Sequence, residues 1–257
     1  MIVAKLQGGL GNQLFQWAFA RSLSNLYNVP LYLDTSFYNQ NIPGVTKRNF
    51  SLNKFPNLKY DLFENAQNNG KQFIRFSEPQ SFTKLNYNSL YNYYLDGYFQ
   101  SEDYFKDSSD IIREDLSPNV ELIEKYPIVN KNNISLHIRR TDYITSNGYH
   151  PVQSLDYYKS SIEMIGDYDH IFVFSDDINW CKENLKFDNM IFIEGNDEVE
   201  DIWLMSLCKN NIIANSSFSW WSAWLNKNEN KKVIYPKNWF GPQVNSLVSV
   251  PKNWIKN

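Results

Sequence analysis

Two adjacent arginines at the end of an apolar run are the residues of this chain best suited to chemistry. Residues 135–143 read Ser-Leu-His-Ile-Arg-Arg-Thr-Asp-Tyr. Strand-like residues from Ile134 to Ile138 run directly into Arg139 and Arg140, and Asp142 follows two residues later. A guanidinium is permanently charged and offers a planar fork of donors that matches phosphate oxygens. Ligands of open α/β sheets sit just beyond the carboxyl ends of strands. The pattern therefore suits a diphosphate clamp with an acid beside it. Taken alone, such a pair is more often a solvated strand end paired with nearby carboxylates.

The same arrangement recurs along the second half of the chain. The next strand ends in Ser175-Asp176-Asp177, the third in Glu194-Gly195-Asn196-Asp197, and the fourth in Asn215-Ser216-Ser217, which opens a helix. If the strands are parallel, all these ends lie on one edge. Ser216 and Ser217 suit a helix N-cap whose free N–H groups attract anions. Plain capping or turn formation accounts equally for the serines, and for Asp176 and Asp177 it is the stronger reading of each residue alone. The Phe218–Leu225 segment is rich in tryptophan and suits core packing.

Metal and nucleophile chemistries find little support. Asp167-Tyr168-Asp169 has the form of a metal-binding pair but precedes a strand, on the opposite edge of the sheet. His137, His150 and His170 have no ligand spacing. His137 lies within a strand and suits a site wall. His150 follows a loop after Asp142 and can reach a site edge. No metal and no cofactor is expected.

The elements that carry these residues follow from hydrophobic patterning. Strands over 133–138, 170–174, 190–193, 211–214 and 232–235 alternate with helices over 154–165, 177–185, 198–209 and 217–226. That alternation predicts right-handed crossovers and a doubly wound parallel sheet. At the start of the chain, residues 2–6 predict a strand, Gly8-Gly9-Leu10-Gly11-Asn12 a turn, residues 13–27 a helix and residues 29–33 a second strand. The glycines resemble a dinucleotide-binding loop, with Asp34 near the ribose position, but Leu14 replaces the third glycine. Close approach of a ligand and a simple tight turn are equally good readings. Residues 35–92 predict loops and short helices. A strand is expected near 93–100, a helix from an N-cap at Ser101 to about Arg113, and one more helix between 116 and 131.

Composition narrows the class. The 257 residues allow two compact units. Aromatic residues reach 16%, enough for a large core and for stacking on sugar faces. Net charge is −3, which argues against a nucleic-acid surface. Cys181 and Cys208 have no metal spacing and suggest a reduced, cytoplasmic compartment. The first residues are too short an apolar run for a signal peptide, and none approaches a membrane span, so membrane contact is expected to be peripheral at most.

Several segments together resemble a known family. His137-Ile138-Arg139-Arg140-Thr141-Asp142-Tyr143 resembles the H-x-R-R-x-D motif of fucosyltransferases. Gly8 to Gln16 is similar to the opening loop of the bacterial α-1,2-fucosyltransferases, glycosyltransferase family 11. Ala214 to Trp221 is similar to their C-terminal motif. Phe174-Ser175-Asp176-Asp177 and Leu95 to Ser101 also fit, and the order matches the family's. The resemblance implies a GT-B fold of two Rossmann-like halves, residues 1–130 on the acceptor side and 131–257 binding GDP-fucose. It implies metal-independent, inverting transfer of fucose to a galactose 2-hydroxyl on an oligosaccharide or lipid-linked glycan, as in O-antigen or capsule synthesis.

By the same resemblance, Arg139 and Arg140 hold the phosphates, helped by Ser216, Ser217 and Phe218. Gly9, Gly11, Asn12 and Gln13 belong to the donor-facing loop. His137, Asp176, Asp177 and Asn215 line the nucleotide site, and Asp201 accepts from guanine N–H groups. Asp142 is the first candidate base and His150 the second. Three other readings compete: a GDP-sugar transferase of another linkage, a nicotinamide oxidoreductase using the N-terminal glycines, and a non-catalytic sugar-binding module.

Overall fold

The computed structural model describes residues 1–41, 43–44, 46–118, 132–146, 148–244 and 248–257. The chain divides into two compact units: Met1–Ser117 with Leu247–Val250, and Pro118–Ser246 with Pro251–Asn257. The boundary expected between residues 130 and 131 lies outside the described residues, as does most of the helix expected between 116 and 131.

Unit one opens with β1 (Ile2–Lys5), α1 (Leu10–Tyr27) and β2 (Leu31–Asp34), followed by β3 (Asp61–Leu62), β4 (Phe73–Ser77), β5 (Asn92–Asp96) and α2 (Ser109–Asp115). The strands form one parallel sheet in the order β3-β2-β1-β5-β4. The central strand β1 is almost wholly buried, as parallel strands covered on both faces must be. Its strand order reverses between β1 and β5.

Two expectations for this unit are corrected. Residues 35–92 contain the expected short helical turns but also β3 and β4. The helix expected from Ser101 is two 3₁₀ turns before α2, although the Ser101 hydroxyl does cap, accepting from Asp103 N–H at 3.2 Å.

Unit two contains β6 (Ile134–Ile138), α3 (Thr141–Ile144), α4 (Leu155–Ile165), β7 (Ile171–Ser175), α5 (Ile178–Asn184), β8 (Met190–Phe192), α6 (Glu198–Leu207), β9 (Asn210–Ile212), α7 (Ser217–Leu225), β10 (Val233–Tyr235) and β11 (Ile255–Lys256). The sheet is parallel throughout, in the order β11-β10-β9-β6-β7-β8. The chain builds outward from β6 through β7 to β8, then returns to place β9 on the other side of β6. The C-terminal β11 and the single-turn α3 were not expected. Each unit is thus a helix-flanked parallel α/β layer, the architecture expected of a GT-B fold.

The helices of unit two start where their capping chemistry dictates. Ser154 accepts from Tyr157 N–H, Asp177 from Trp180 N–H, and Ser216 from Phe218 N–H. Asp197 and Glu200 form a reciprocal capping box at α6. Trp220 and Trp221 on α7 are fully buried and pack at 5.3 Å between ring centres, so they serve the core as expected.

Candidate active site

The fully buried β6 delivers two arginines to the carboxyl edge of its sheet, where neighbouring strand ends hold them. Arg139 forms ion pairs with Asp142 at 2.7 Å and with Asp176 at 3.2 Å. Arg140 donates through Nε to Asp177 at 3.2 Å, and its guanidinium lies 3.6 Å from the centre of the Trp180 ring. Trp180 has no signal in sequence; only the adjacency of β6 and β7 brings it over Arg140.

Asp176 fastens the two strand ends together. Its carboxylate accepts from the backbone N–H of Arg140 at 2.9 Å, the N–H of Thr141 at 3.2 Å and the Thr141 hydroxyl. Burial alone would raise its pKa. The Arg139 charge and these hydrogen bonds outweigh burial and hold it below the usual carboxylate range. Asp177 combines its cap on α5 with the contact to Arg140. Both aspartates therefore have the structural duties that sequence reading allowed them, and through those duties they orient the arginines.

The reversal of strand order in this sheet lies between β6 and β9, so the end of β9 and the start of α7 stand beside the arginines. That is where ligands of doubly wound sheets bind. Tyr143 spans the gap: its hydroxyl donates to the Asn215 carbonyl at 2.9 Å, and its ring lies 5.6 Å from Arg139. Sequence reading missed this residue. Burial, its largest cause, pushes the phenol far above its ordinary range, so it acts as a neutral donor.

The His137 ring packs 5.4 Å from Phe218, and its Nδ1 has no hydrogen-bond partner among the described residues. Burial first, and the Arg139 charge second, hold its pKa far below normal, so the imidazole is neutral. His150 stacks on Tyr143 at 4.6 Å and packs against Tyr149 and Phe240. Burial lowers its pKa more than nearby Asp142 raises it.

Asn215 is committed to the scaffold. Its amide donates to the carbonyls of Pro151 at 3.1 Å and Trp239 at 2.9 Å, and its oxygen accepts from Gln153 at 3.0 Å. Asn215→Ala removes all three bonds; Gln153 and the Pro151 carbonyl keep their bond to each other, while the Trp239 carbonyl loses this donor, at about 1–3 kcal/mol. We expect a lower midpoint in chemical denaturation with an unchanged slope.

Asp201 stands apart, in the first turn of α6, with Asn196 donating at 3.3 Å. In unit one, α1 begins at Leu10, so Leu10, Gly11 and Asn12 are helical rather than part of the expected turn, and Gln13 is helical as expected. The glycine that the backbone requires is Gly8, at φ +80°, where a Cβ would lie 2.5 Å from Asn12 Nδ2. A Cβ at Gly9 would meet nothing within 4 Å. The Gln13 amide is buried and bonded to the Asn49 carbonyl and the Ser51 N–H, at 2.8 and 2.9 Å. Its observed contacts hold the loop in shape.

Among the described residues no group of three His, Cys, Asp or Glu side chains could hold a metal ion, and no helix is long and apolar enough to cross a membrane.

Comparison with known proteins gives this arrangement its relatives. The chain is 35% identical over 283 residues to the O-antigen biosynthesis glycosyltransferase WbnK of Escherichia coli, covering 91% of this chain and 93% of that protein. It is also 35% identical over 268 residues to an alpha-1,2-colitosyltransferase of Escherichia coli, covering 93% and 92%. Fucosyltransferase NodZ from Bradyrhizobium shares the fold, with a TM-score of 0.52, 12% identity and coverage of 86% of this chain and 91% of that one. The model of Glycosyl transferase family 11 matches residues 4–256, which takes in both sheets and the arginine-bearing strand end. The chain belongs to glycosyl transferase family 11.

Proposed function

We propose that this glycosyltransferase moves L-fucose from GDP-fucose to the 2-hydroxyl of a terminal galactose on a glycan, with inversion and without a divalent metal. The observation that carries the reading is the pairing of Arg139 and Arg140 with the start of α7 at the reversal of strand order. Cations and a helix N-terminus together stabilise the charge that develops on a departing diphosphate, often the largest catalytic contribution. Ser216, Ser217 and Phe218 would present the helix end, with His137 as a neutral wall.

Three carboxylates surround the two guanidiniums, and a diphosphate would compete with them for the N–H donors. Of the two partners of Arg139, Asp142 is the more exposed, its side chain 28% accessible against 17% for Asp176, which also holds two N–H groups and a hydroxyl. Donor binding would thereby free Asp142 to take the acceptor proton, a contribution on the order of 10²–10⁴-fold. His150 is the second candidate for that proton.

The test is a panel of GDP-sugars and galactose-ended acceptors, with mass detection and linkage analysis of the product. We expect a fucosyl α-1,2 product whose rate is unchanged by a chelator. Strict dependence on Mn²⁺ or Mg²⁺ would refute the metal-free mechanism. A second reading, transfer of another sugar from its nucleotide, is supported by the similarity to a colitosyltransferase. It would be preferred if GDP-colitose outcompeted GDP-fucose in the same panel.

A further inference from the structure

Residues 238–241 follow β10 and carry neither a charge nor a nucleophile, yet they are fastened to the arginine-bearing edge of unit two. Asn215 donates to the Trp239 carbonyl at 2.9 Å, and Gln153 to the Asn238 carbonyl at 3.3 Å. The Gly241 N–H donates to the Tyr149 carbonyl at 3.0 Å. The Phe240 ring packs 5.3 Å from that of His150 and 5.8 Å from that of Tyr149. Gly241 is buried, and a Cβ there would lie 1.8 Å from the Gly148 carbonyl oxygen. Any side chain would strike the neighbouring backbone, so only glycine fits. Gly148 itself sits at φ +79°, which glycine adopts without steric cost.

The fastened turn carries a run of side chains that leads back to Arg139. The His150 ring lies on that of Tyr143 at 4.6 Å, with the planes 12° apart, and the Tyr143 ring lies 5.6 Å from the Arg139 guanidinium. The Ser146 hydroxyl donates to the Tyr143 carbonyl at 2.8 Å and accepts from the His150 N–H at 3.2 Å, which ties the two ring-bearing residues together. Tyr143 also reaches the Asn215 carbonyl, just before α7. Packed side chains transmit displacement to one another, because interiors leave few gaps to absorb it. A shift of Phe240 is therefore passed through His150 and Tyr143 to Arg139.

We infer that Phe240 and Gly241 are positioning residues for the transfer reaction. They hold the turn at 148–150 so that His150 lies flat on Tyr143, and Tyr143 stands against Arg139 and the start of α7. They act through Arg139 and not on the substrate. The inference rests on the proposed transfer and adds to it the segment that keeps its cation in place. His150 gives a readout that needs no turnover. Burial lowers its pKa most, Asp142 raises it and Arg139 lowers it, while Tyr143, Tyr149 and Phe240 are the rings packed on it. Loss of that burial should move its titration up, toward the ordinary value near ~6.5.

The test uses the full chain, with GDP-fucose as donor and lactose as acceptor. Phe240→Ala should lower kcat about tenfold, short of the ~100-fold that a misplacement of about 1 Å can cause, because Asp142 and Asp176 still hold Arg139. The KM for GDP-fucose should stay within about threefold of wild type. Phe240→Tyr, which keeps the ring, should have a wild-type kcat. In a histidine NMR titration, His150→Gln identifies the His150 signal among those of the three histidines. Its midpoint should rise in Phe240→Ala and in Gly241→Ala and stay in place in Phe240→Tyr. Calorimetry with GDP counts the folded sites, so mere misfolding lowers the stoichiometry without moving the titration of the folded fraction. Should Phe240→Ala not fold, Phe240→Leu takes its place with the same expectations. A wild-type kcat, or an unmoved His150 titration, in the folded variant would overturn the inference and leave the proposed reaction standing. If the wild type turns over no GDP-fucose, the proposed reaction fails by itself. A raised midpoint in Phe240→Ala would then still support the positioning of the stack, and an unmoved one would overturn it.

Discussion

Replacing Arg139 by alanine is expected to reduce sugar transfer by about 10³-fold, the scale seen when one preorganised donor to a developing anion is removed. The loss should fall on both GDP binding and kcat. Two effects act in the same direction. The guanidinium would no longer meet the proposed diphosphate, and Asp142 and Asp176 lose the cation they share. The second effect weakens the strand-end fastening as well, so circular dichroism and a thermal melt must accompany the kinetics. Arg139→Lys separates the contributions. It keeps the charge but cannot reach two carboxylates with a rigid fork, so we expect an intermediate loss on the order of 10–100-fold with a native melt. Wild-type-like transfer by Arg139→Ala would refute the clamp outright.

The same ion pairs explain what sequence could and could not reveal. Arg139, Arg140 and Asp142 were legible because an apolar run ends in charge, and buried strands seldom do that without a partner. The main helices and strands of unit two were legible because largely apolar strands alternate with stretches of helical length. Their observed ends differ from the expected ones by a residue or two, as fraying ends do. The strand β4 was not legible: Phe73 and Ile74 lie at the edge of the sheet, 45% and 39% exposed, so no buried run announces them. Two-residue strands such as β3 and β11 carry too little pattern for any period to be read.

Tyr143 and Trp180 were missed for a different reason. Each acts through a neighbour distant in sequence, Asn215 and Arg140 respectively, and only the strand order makes them neighbours. Some asparagines also have roles that composition does not disclose. Asn211, for example, is fully buried and donates to Ser135 and to the Met205 carbonyl, while Asn226 donates to the Asn211 oxygen. These amides satisfy buried polar groups inside the sheet and at the end of α7.

Asp201→Asn is expected to stabilise the folded protein at pH 8 while weakening its affinity for GDP. Burial raises the Asp201 carboxyl to about 6, opposed by the hydrogen bond from Asn196 and assisted by the charges of Glu200 and Asp197. An unfolded aspartate titrates near ~3.9. A carboxyl with a raised folded-state value binds its proton more tightly when folded. Its contribution is therefore most favourable below ~3.9 and is lost as pH rises toward 6. Above that range the folded state carries a poorly solvated charge at a cost of about 3 kcal/mol. Asparagine removes the charge and keeps the shape, so the melting temperature should rise at pH 8 and change little at pH 4.

Binding should move the opposite way. A carboxylate kept under strain is useful where a ligand supplies the missing donors, and the N–H groups of a guanine would do so. Asparagine offers one acceptor oxygen in place of two, so GDP affinity measured by calorimetry at pH 8 should fall about tenfold or more. A variant that gains stability and keeps its GDP affinity would show that Asp201 is only a strained helix-end carboxylate. One that loses both would show that its charge supports the fold.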